Sequence, residues 1–203
     1  MQINIDRKTG VLLAIIVLLS AAVLSLSINR DENHSMNGSS GHMGHGSSGS
    51  KNSQYTGADV MFLQMMIPHH QQAIDISNLA MKSSQDSELL ALAKIIARDQ
   101  AAEIQQMKAW LKDAGASEDM GHSMDGMGGM LSPDELSALS AATGKAFDIL
   151  WLKGMTDHHD GAIHMTQMIE DARNPEIKAF GEKVIADQSA QIEQMKEMLE
   201  RIQ

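Results

Sequence analysis

MIPHHQQAI at residues 66–74 and MTDHHDGAI at residues 155–163 are two copies of one motif. Both contain a Met, a double His and a closing Ala-Ile at matching places, 89 positions apart. Further along the offset becomes 88, where residues 106–108 and 194–196 both read QMK. The chain therefore contains an internal repeat, and the one-residue difference falls where a connecting loop can vary in length.

Each half of the repeat predicts two helices. Apolar residues at helical spacing predict helices from 59 to about 82 and from 87 to 112 in the first half, and from 145 to about 172 in the second. Asn174 is an N-cap residue followed by Pro175, which predicts a fourth long helix to about 201. The sequence SPDE at residues 132–135 is a capping box that opens a short extra helix ending before Gly144.

The composition favours helices. Of the 203 residues, 43% are hydrophobic but only 3% are aromatic. Ala, Leu, Ile and Met supply nearly all the apolar content, whereas a β-sandwich would use more Val, Tyr, Phe and Thr. We predict an all-α fold, a four-helix bundle of two repeated helical hairpins. The repeat predicts that the first helix of each half faces its counterpart.

Charge and cysteine content exclude several classes of protein. The net charge of −10 argues against a basic face for phosphate backbones, so we expect no nucleic-acid partner. The absence of Cys excludes disulfides, zinc–thiolate sites, iron–sulfur clusters and a thiol nucleophile. The chain is instead rich in Met (17) and His (9), which are a soft and a borderline metal ligand.

The amino terminus carries a membrane signal. Arg7 and Lys8 precede an apolar run over residues 11–28, just long enough to span a bilayer core. This predicts a membrane anchor at 1–30 with the remainder on the periplasmic or extracellular side. The alternative is a cleaved signal peptide and a secreted protein, with a small-x-small site at residues 25–27.

A linker separates this signal from the predicted bundle. Residues 31–55 are rich in Gly, Ser, His and Met and predict a flexible linker, although part of it, 38–50, also resembles a cloning remnant. The bundle domain is predicted over 56–203, with a Met-rich loop at 114–131.

The first helix of each half places Met and His on one face. Asp59, Phe62, Met66, His69, Ala73 and Ile76 recur at spacings of three and four, as do their counterparts in the second half. Two such faces could bind one ion through nitrogen and sulfur. The predicted ligands are Met66, His69, His70, Met155, His158 and His159. The alternative is a structural polar network in which Asp99, Glu103, Asp187 and Gln188 satisfy the buried imidazoles.

The two halves are predicted to differ. Pro68 lies inside the first helix and is expected to kink it, whereas the second half has Asp157 there. Asp157 and Asp160 predict a more acidic second site, to which His164 and Met165 add possible ligands.

The loop between the halves is the most distinctive local feature. It contains four Met and one His within eleven residues, interleaved with Gly: Met120, His122, Met124, Met127 and Met130. Soft-metal capture, of Cu(I) and also Ag(I), is the best physical explanation for such a loop in an exported protein without Cys. Low-complexity drift is the alternative.

These motifs resemble the "domain of unknown function 305" family over residues 55–202. The two motif copies carry the resemblance, together with QxxEIxxMxxWL at residues 100–111. The resemblance implies a ferritin-like four-helix fold and export. The family includes CopM-type copper-binding proteins implicated in copper resistance. By position, Met66, His69, His70, Met155, His158 and His159 carry the family motif. Gln191, Met198 and His164 depart from it.

The leading hypothesis is an exported copper-binding protein that sequesters or delivers Cu(I) or Cu(II), with silver as a second metal. We expect no enzymatic activity, since the sequence has no Glu-x-x-His pair, nucleophile elbow or phosphate loop. Expected partners are the metal ion, the membrane and a copper-transport protein. Two alternatives remain open: a ferritin-like metal oxidase, and a metal-free envelope scaffold or chaperone.

Overall fold

The computed structural model describes residues 54–121 and 128–203, and these residues contain helices but no strands. The five α-helices are α1 (Gly57–Ser83), α2 (Ser87–Ala114), α3 (Pro133–Ala141), α4 (Gly144–Met165) and α5 (Pro175–Ile202). A short 3-10 helix, Thr166–Ile169, follows α4. The prediction of an all-α protein is confirmed for this part of the chain.

The predicted anchor at 1–30 and nearly all of the predicted linker lie outside the described residues. Within residues 54–121 and 128–203, no helix combines the length and the apolar character needed to cross a bilayer.

Local capping signals determine where several helices begin. The Thr56 side chain accepts from the Asp59 backbone N–H, while the Asp59 carboxylate accepts from the Thr56 N–H at 2.7 Å. The predicted capping box at Ser132 and the predicted N-cap at Asn174 are both present. At its other end, α2 stops at Gly115, whose φ of 69° is the left-handed conformation that Gly adopts without strain.

The third long helix, α4, is shorter than predicted. We expected it to continue to about residue 172, but α4 ends at Met165 and tightens into the 3-10 turn. The hydroxyl of Thr166 donates to the Ile163 carbonyl at 2.7 Å, an interaction that competes with regular helical hydrogen bonding. On α5, Gly181 provides room for Ile169, because a Cβ at residue 181 would lie only 2.9 Å from the Ile169 side chain.

The four long helices pack as two hairpins, α1–α2 and α4–α5, with α1 against α4. This confirms that the first helix of each half faces its counterpart. Trp151 on α4 is fully buried, and its indole N–H donates to the carbonyl of Ile76 on α1 at 3.1 Å. A strong contact between the repeats therefore lies in the core.

The hydrophobic core has two parts. One contains Ala73 and Ile76 of α1 with Trp151 and Met155 of α4. The other contains Phe62, Leu63 and Met66 of α1 with Ala162 and Met165 of α4. Along both helices the double His lies between these two parts, so the motifs of the two halves meet at the centre of the α1–α4 contact.

Candidate metal centre

The four motif histidines form one buried layer between α1 and α4. His69, His70, His158 and His159 are each 0% exposed. The rings of His69 and His158 lie 3.7 Å apart between centroids, at an interplanar angle of 37°. The doubled motif placed these side chains together because the helices of the two repeats cross at the same motif position.

Three of the four imidazoles are oriented by oxygen atoms. His70 Nε2 lies 2.9 Å from Glu103 Oε2, and His159 Nε2 lies 2.6 Å from Gln191 Oε1. His158 Nε2 lies 3.0 Å from the backbone carbonyl of His69. Each oriented ring therefore meets an oxygen acceptor through Nε2.

Only part of the predicted set of imidazole partners is confirmed. Glu103 is a partner, whereas the carboxylate of Asp99 accepts from Arg98 at 2.6 Å and that of Asp187 accepts from Lys183 at 2.7 Å. Gln188 is buried, but its Oε1 has no hydrogen-bond partner among the described residues. Gln191, which we noted only as a departure from the family pattern, is the partner of His159. It is the repeat equivalent of Glu103, so the offset of 88 was the signal that could have identified it.

The oxygen partners define which nitrogen carries the proton. A carboxylate or a backbone carbonyl can only accept, so the Nε2 atoms of His70 and His158 donate. Gln191 presents its amide oxygen to His159 in the same way. The Nδ1 atoms of these three rings are buried without a hydrogen-bond partner in the described structure. In a neutral ring donating from Nε2, that Nδ1 carries a free lone pair.

His69 differs from the other three histidines. Neither of its ring nitrogens makes a well-formed hydrogen bond within the described residues. The backbone of Gly128 lies close enough to raise its pKa somewhat, but burial and the neighbouring His70 and His159 dominate and lower the pKa to about 3. The His69 ring is therefore neutral at pH 7, with one lone pair to offer.

Burial keeps the layer uncharged on the α4 side as well. Loss of hydration lowers the pKa of His159 to about 4, although its bond to Gln191 opposes the shift. Loss of hydration and the nearby His69 lower the pKa of His158 well below its ordinary value. Neutral imidazole is the form that binds metal ions.

Glu103 supplies a negative charge at the edge of this layer. Burial alone would raise the pKa of its carboxyl group, but the hydrogen bond and charge of His70, together with Lys183, lower the pKa to about 2. Asp157 and Asp160, which predicted a more acidic second half, have exposed side chains instead. That prediction is wrong for the buried layer, where the carboxylate belongs to the first half.

The two motif thioethers are also buried. Met66 and Met155 are 0% exposed and precede His69 and His158 by three residues, on the same helical faces. Met66 packs in one part of the core and Met155 in the other, so thioether sulfur is available on both sides of the layer.

The remaining predicted ligands lie elsewhere or outside the described residues. His164 is exposed and Met165 packs in the core with Phe62 and Phe180, so the structure does not bury His164 with the four motif histidines. Met120 and Met130 are half-buried near the ends of the Met-rich loop. His122, Met124 and Met127 lie outside the described residues.

The carboxyl end of the Met-rich loop is held against both motif helices. Gln72 donates to the Leu131 carbonyl at 3.0 Å and accepts from the Leu131 N–H at 2.8 Å. On α4, a Cβ at Gly161 would collide with the Gly128 carbonyl oxygen. Gln72 and Gly161 occupy the same position of the repeated motif. Sequence reasoning assigned no role to either residue.

These donors fit a soft or borderline metal in chemical type. Across the two described stretches, no group of three or more His, Asp or Glu side chains is placed to hold a metal ion. The layer nevertheless combines unpartnered imidazole nitrogens with thioether sulfur from Met66 and Met155, which are ligands suited to copper.

The family model for a domain of unknown function (DUF305) matches residues 59–199, and this chain belongs to that family. No curated protein matches the sequence.

Several solved structures resemble the fold. A DUF305 protein from Streptomyces coelicolor, described as a candidate secreted protein, is 29% identical with a TM-score of 0.67, covering 71% of this chain and 92% of its own. A DUF305 fragment from Deinococcus radiodurans is 32% identical with a TM-score of 0.67, covering 72% and 97%. CopM in its Cu(I)-bound form is 34% identical with a TM-score of 0.61, covering 73% and 98%. CopM structures also exist with Cu(II) and with silver.

Proposed function

We propose that this protein is an exported copper-binding protein that sequesters or delivers copper through its buried His and Met side chains. The proposal rests on the hydrogen bonding of the imidazole nitrogens. His70, His158 and His159 present Nε2 to oxygen acceptors and keep Nδ1 buried without a partner. Metal-binding His side chains are characteristically oriented in this way, by a carboxylate or carbonyl on the nitrogen that does not bind the metal.

The chemistry of the layer suits copper. Imidazole is a good ligand for copper in either oxidation state, and thioethers favour Cu(I) and Ag(I). The low pKa values of His69 and His159 mean that no proton has to be displaced at neutral pH. CopM, which shares the fold, has been solved with Cu(I), Cu(II) and silver, and this similarity supports copper as the cargo.

Met120, His122, Met124, Met127 and Met130 complete the proposal as a capture segment for Cu(I) or Ag(I). The carboxyl end of the loop, at Gly128, lies beside His69 and so links this segment to the buried layer. We propose no catalytic turnover: the metal is bound and passed to a copper-transport partner. The predicted anchor or signal at 1–30 would place the bundle outside the cytoplasm, and the secreted DUF305 candidate is consistent with export.

Anaerobic Cu(I) titration of the full chain against a chromophoric chelator tests this function. It is compared with a variant in which His69, His70, His158 and His159 are changed to Ala, and with His164→Ala as a control for an exposed imidazole. Loss of tight binding in the fourfold variant alone supports the buried site. Tight binding retained in that variant moves the site to the Met-rich loop.

The metal-free scaffold remains the second candidate, because the bonds of His70 to Glu103 and of His159 to Gln191 would also satisfy a structural polar network. It predicts that copper leaves the melting temperature unchanged.

A further inference from the structure

The two halves of the histidine layer have different acceptors at equivalent positions. Glu103 accepts from His70, and its repeat equivalent Gln191 accepts from His159, at 2.9 and 2.6 Å. The side chains are similar in length and shape, so the difference between the halves is one of charge.

A lysine bridge exists on one side only. Lys183 of α5 donates to Glu103 Oε1 of α2 at 2.7 Å and to Asp187 at 2.7 Å. It therefore fixes the second carboxylate oxygen of Glu103 while the first faces His70. The repeat equivalent of Lys183 is Ile95, so the side with Gln191 has no corresponding cation.

The charges of these groups do not cancel. The carboxylates of Glu103 and Asp187 and the ammonium group of Lys183 together carry one net negative charge on the side of His70. The amide of Gln191, beside His159, is neutral. A carboxylate attracts a doubly charged ion twice as strongly as a singly charged one at the same distance. It also raises the basicity of the imidazole that it orients. Both effects favour Cu(II) over Cu(I).

We propose that Glu103 is a specificity-determining residue that shifts the oxidation-state preference of copper in the histidine layer towards Cu(II), a shift that the neutral amide of Gln191 does not provide from the other side. This inference rests on the proposed copper-binding function. Glu103 acts through His70 and is a positioning residue.

The test compares Cu(I) and Cu(II) affinities, and the reduction potential of bound copper, in the full chain and three variants. Glu103→Gln gives His70 a neutral amide partner, like the one that Gln191 provides for His159. The double variant Ile95→Lys with Gln191→Glu adds an equivalent carboxylate and lysine to the second half, while Glu103 and Lys183 stay in place. Glu193→Gln is the matched control, since this glutamate is 72% exposed and pairs only with Lys196 among the described residues.

We expect Glu103→Gln to lower Cu(II) affinity by about 10–100-fold and Cu(I) affinity by less. Each tenfold fall in the ratio of Cu(II) affinity to Cu(I) affinity raises the reduction potential of the bound copper by about 59 mV. The double variant should shift the potential in the opposite direction, and Glu193→Gln should leave it unchanged.

The outcomes separate this inference from the function on which it rests. If the wild-type chain binds copper and both variants keep its ratio of Cu(II) to Cu(I) affinity, the inference is wrong and the proposed function stands. If the wild-type chain binds neither ion, both fail. If circular dichroism shows that Glu103→Gln unfolds the protein, the double variant still tests the inference, because it should lower the reduction potential of the bound copper.

Discussion

His158 donates a hydrogen bond from Nε2 to the backbone carbonyl of His69, its own counterpart in the repeat, at 3.0 Å. The two rings also lie 3.7 Å apart between centroids. The repeats are thus joined through the residues that the motif duplicates, and the bond leaves His158 Nδ1 buried and without a partner in the described structure. A scaffold could use this contact for stability alone, and a copper site could use it to orient a ligand.

The buried neutral histidines predict a loss of stability in mild acid. Folding lowers the pKa of His69 to about 3 and of His159 to about 4, from an ordinary value of 6.5. Below pH 6.5 the unfolded chain therefore binds protons that the folded chain does not, so the free energy of unfolding falls as the pH drops from 6.5 towards 4. The slope is about 1.4 kcal/mol per pH unit for each such histidine.

Glu103 extends this dependence to lower pH. Its pKa is lowered from 4.5 to about 2, so the stability that it contributes is present above pH 4.5 and is lost between pH 4.5 and 2. Urea unfolding of the metal-free protein from pH 8 to pH 4 measures the histidine part. His164→Ala, which removes an exposed ring, should follow the wild-type profile. A stability that is flat between pH 7 and 5 would show that His69 and His159 are not held neutral in the folded protein.

Gly161 is expected to tolerate no side chain. A Cβ there meets the Gly128 carbonyl oxygen and the Gly129 backbone, neither of which is a flexible side chain that can move aside. Gly161→Ala should destabilise the protein by about 1–3 kcal/mol, the usual range for overpacking. Gly57→Ala is the control, because nothing lies within 4 Å of a Cβ at that position. Equal unfolding midpoints for the two variants in urea would show that the loop end does not lie against α4.

Copper should stabilise the folded protein. A ligand that binds only the native state at one hundred times its Kd adds about 2.7 kcal/mol to the free energy of unfolding. We expect the melting temperature to rise with anaerobic Cu(I), and the rise to disappear when all four motif histidines are changed to Ala. Calorimetry of both proteins, with and without metal, makes the measurement. An unchanged melting temperature for the wild-type chain supports the scaffold instead.

The Met-rich loop should bind copper independently of the bundle. Changing Met120, Met124, Met127 and Met130 to Leu is expected to lower the Cu(I) stoichiometry without lowering the melting temperature. Met61 and Met81, which are 50% and 38% exposed on α1, provide a control when both are changed to Leu. If the loop variant binds as much Cu(I) as the wild-type chain, the four Met side chains of the loop are not copper ligands.

The helix starts and the buried histidine layer could be predicted from the sequence, the first from capping residues and the second from the internal repeat. Ser132 and Asn174 begin helices because a cap is a property of a few adjacent residues. The double His predicted a buried layer because symmetry brings equivalent helices together. Asp59 and Ala73 share that face, and the structure buries both.

The missed features depend on contacts between distant residues. Glu103 and Lys183 are 80 positions apart, and Gln72 and Leu131 are 59 apart, so no pattern along one helix reveals either pair. Thr166 shortened α4 through a hydroxyl hydrogen bond that helical periodicity does not report. Gln191 was noted as a departure from the family motif, and only the structure places its amide oxygen against His159.

We propose that the Nδ1 atoms of the oriented histidines are the nitrogen ligands of copper. Long-range ¹H–¹⁵N NMR of the full chain reports the protonation of each ring nitrogen before and after anaerobic addition of Cu(I). We predict that His158 and His159 carry their protons on Nε2 in the metal-free protein, and that Cu(I) shifts their Nδ1 signals while Nε2 stays protonated. If copper binds and every one of these Nδ1 signals stays unmoved, these nitrogens are not its ligands.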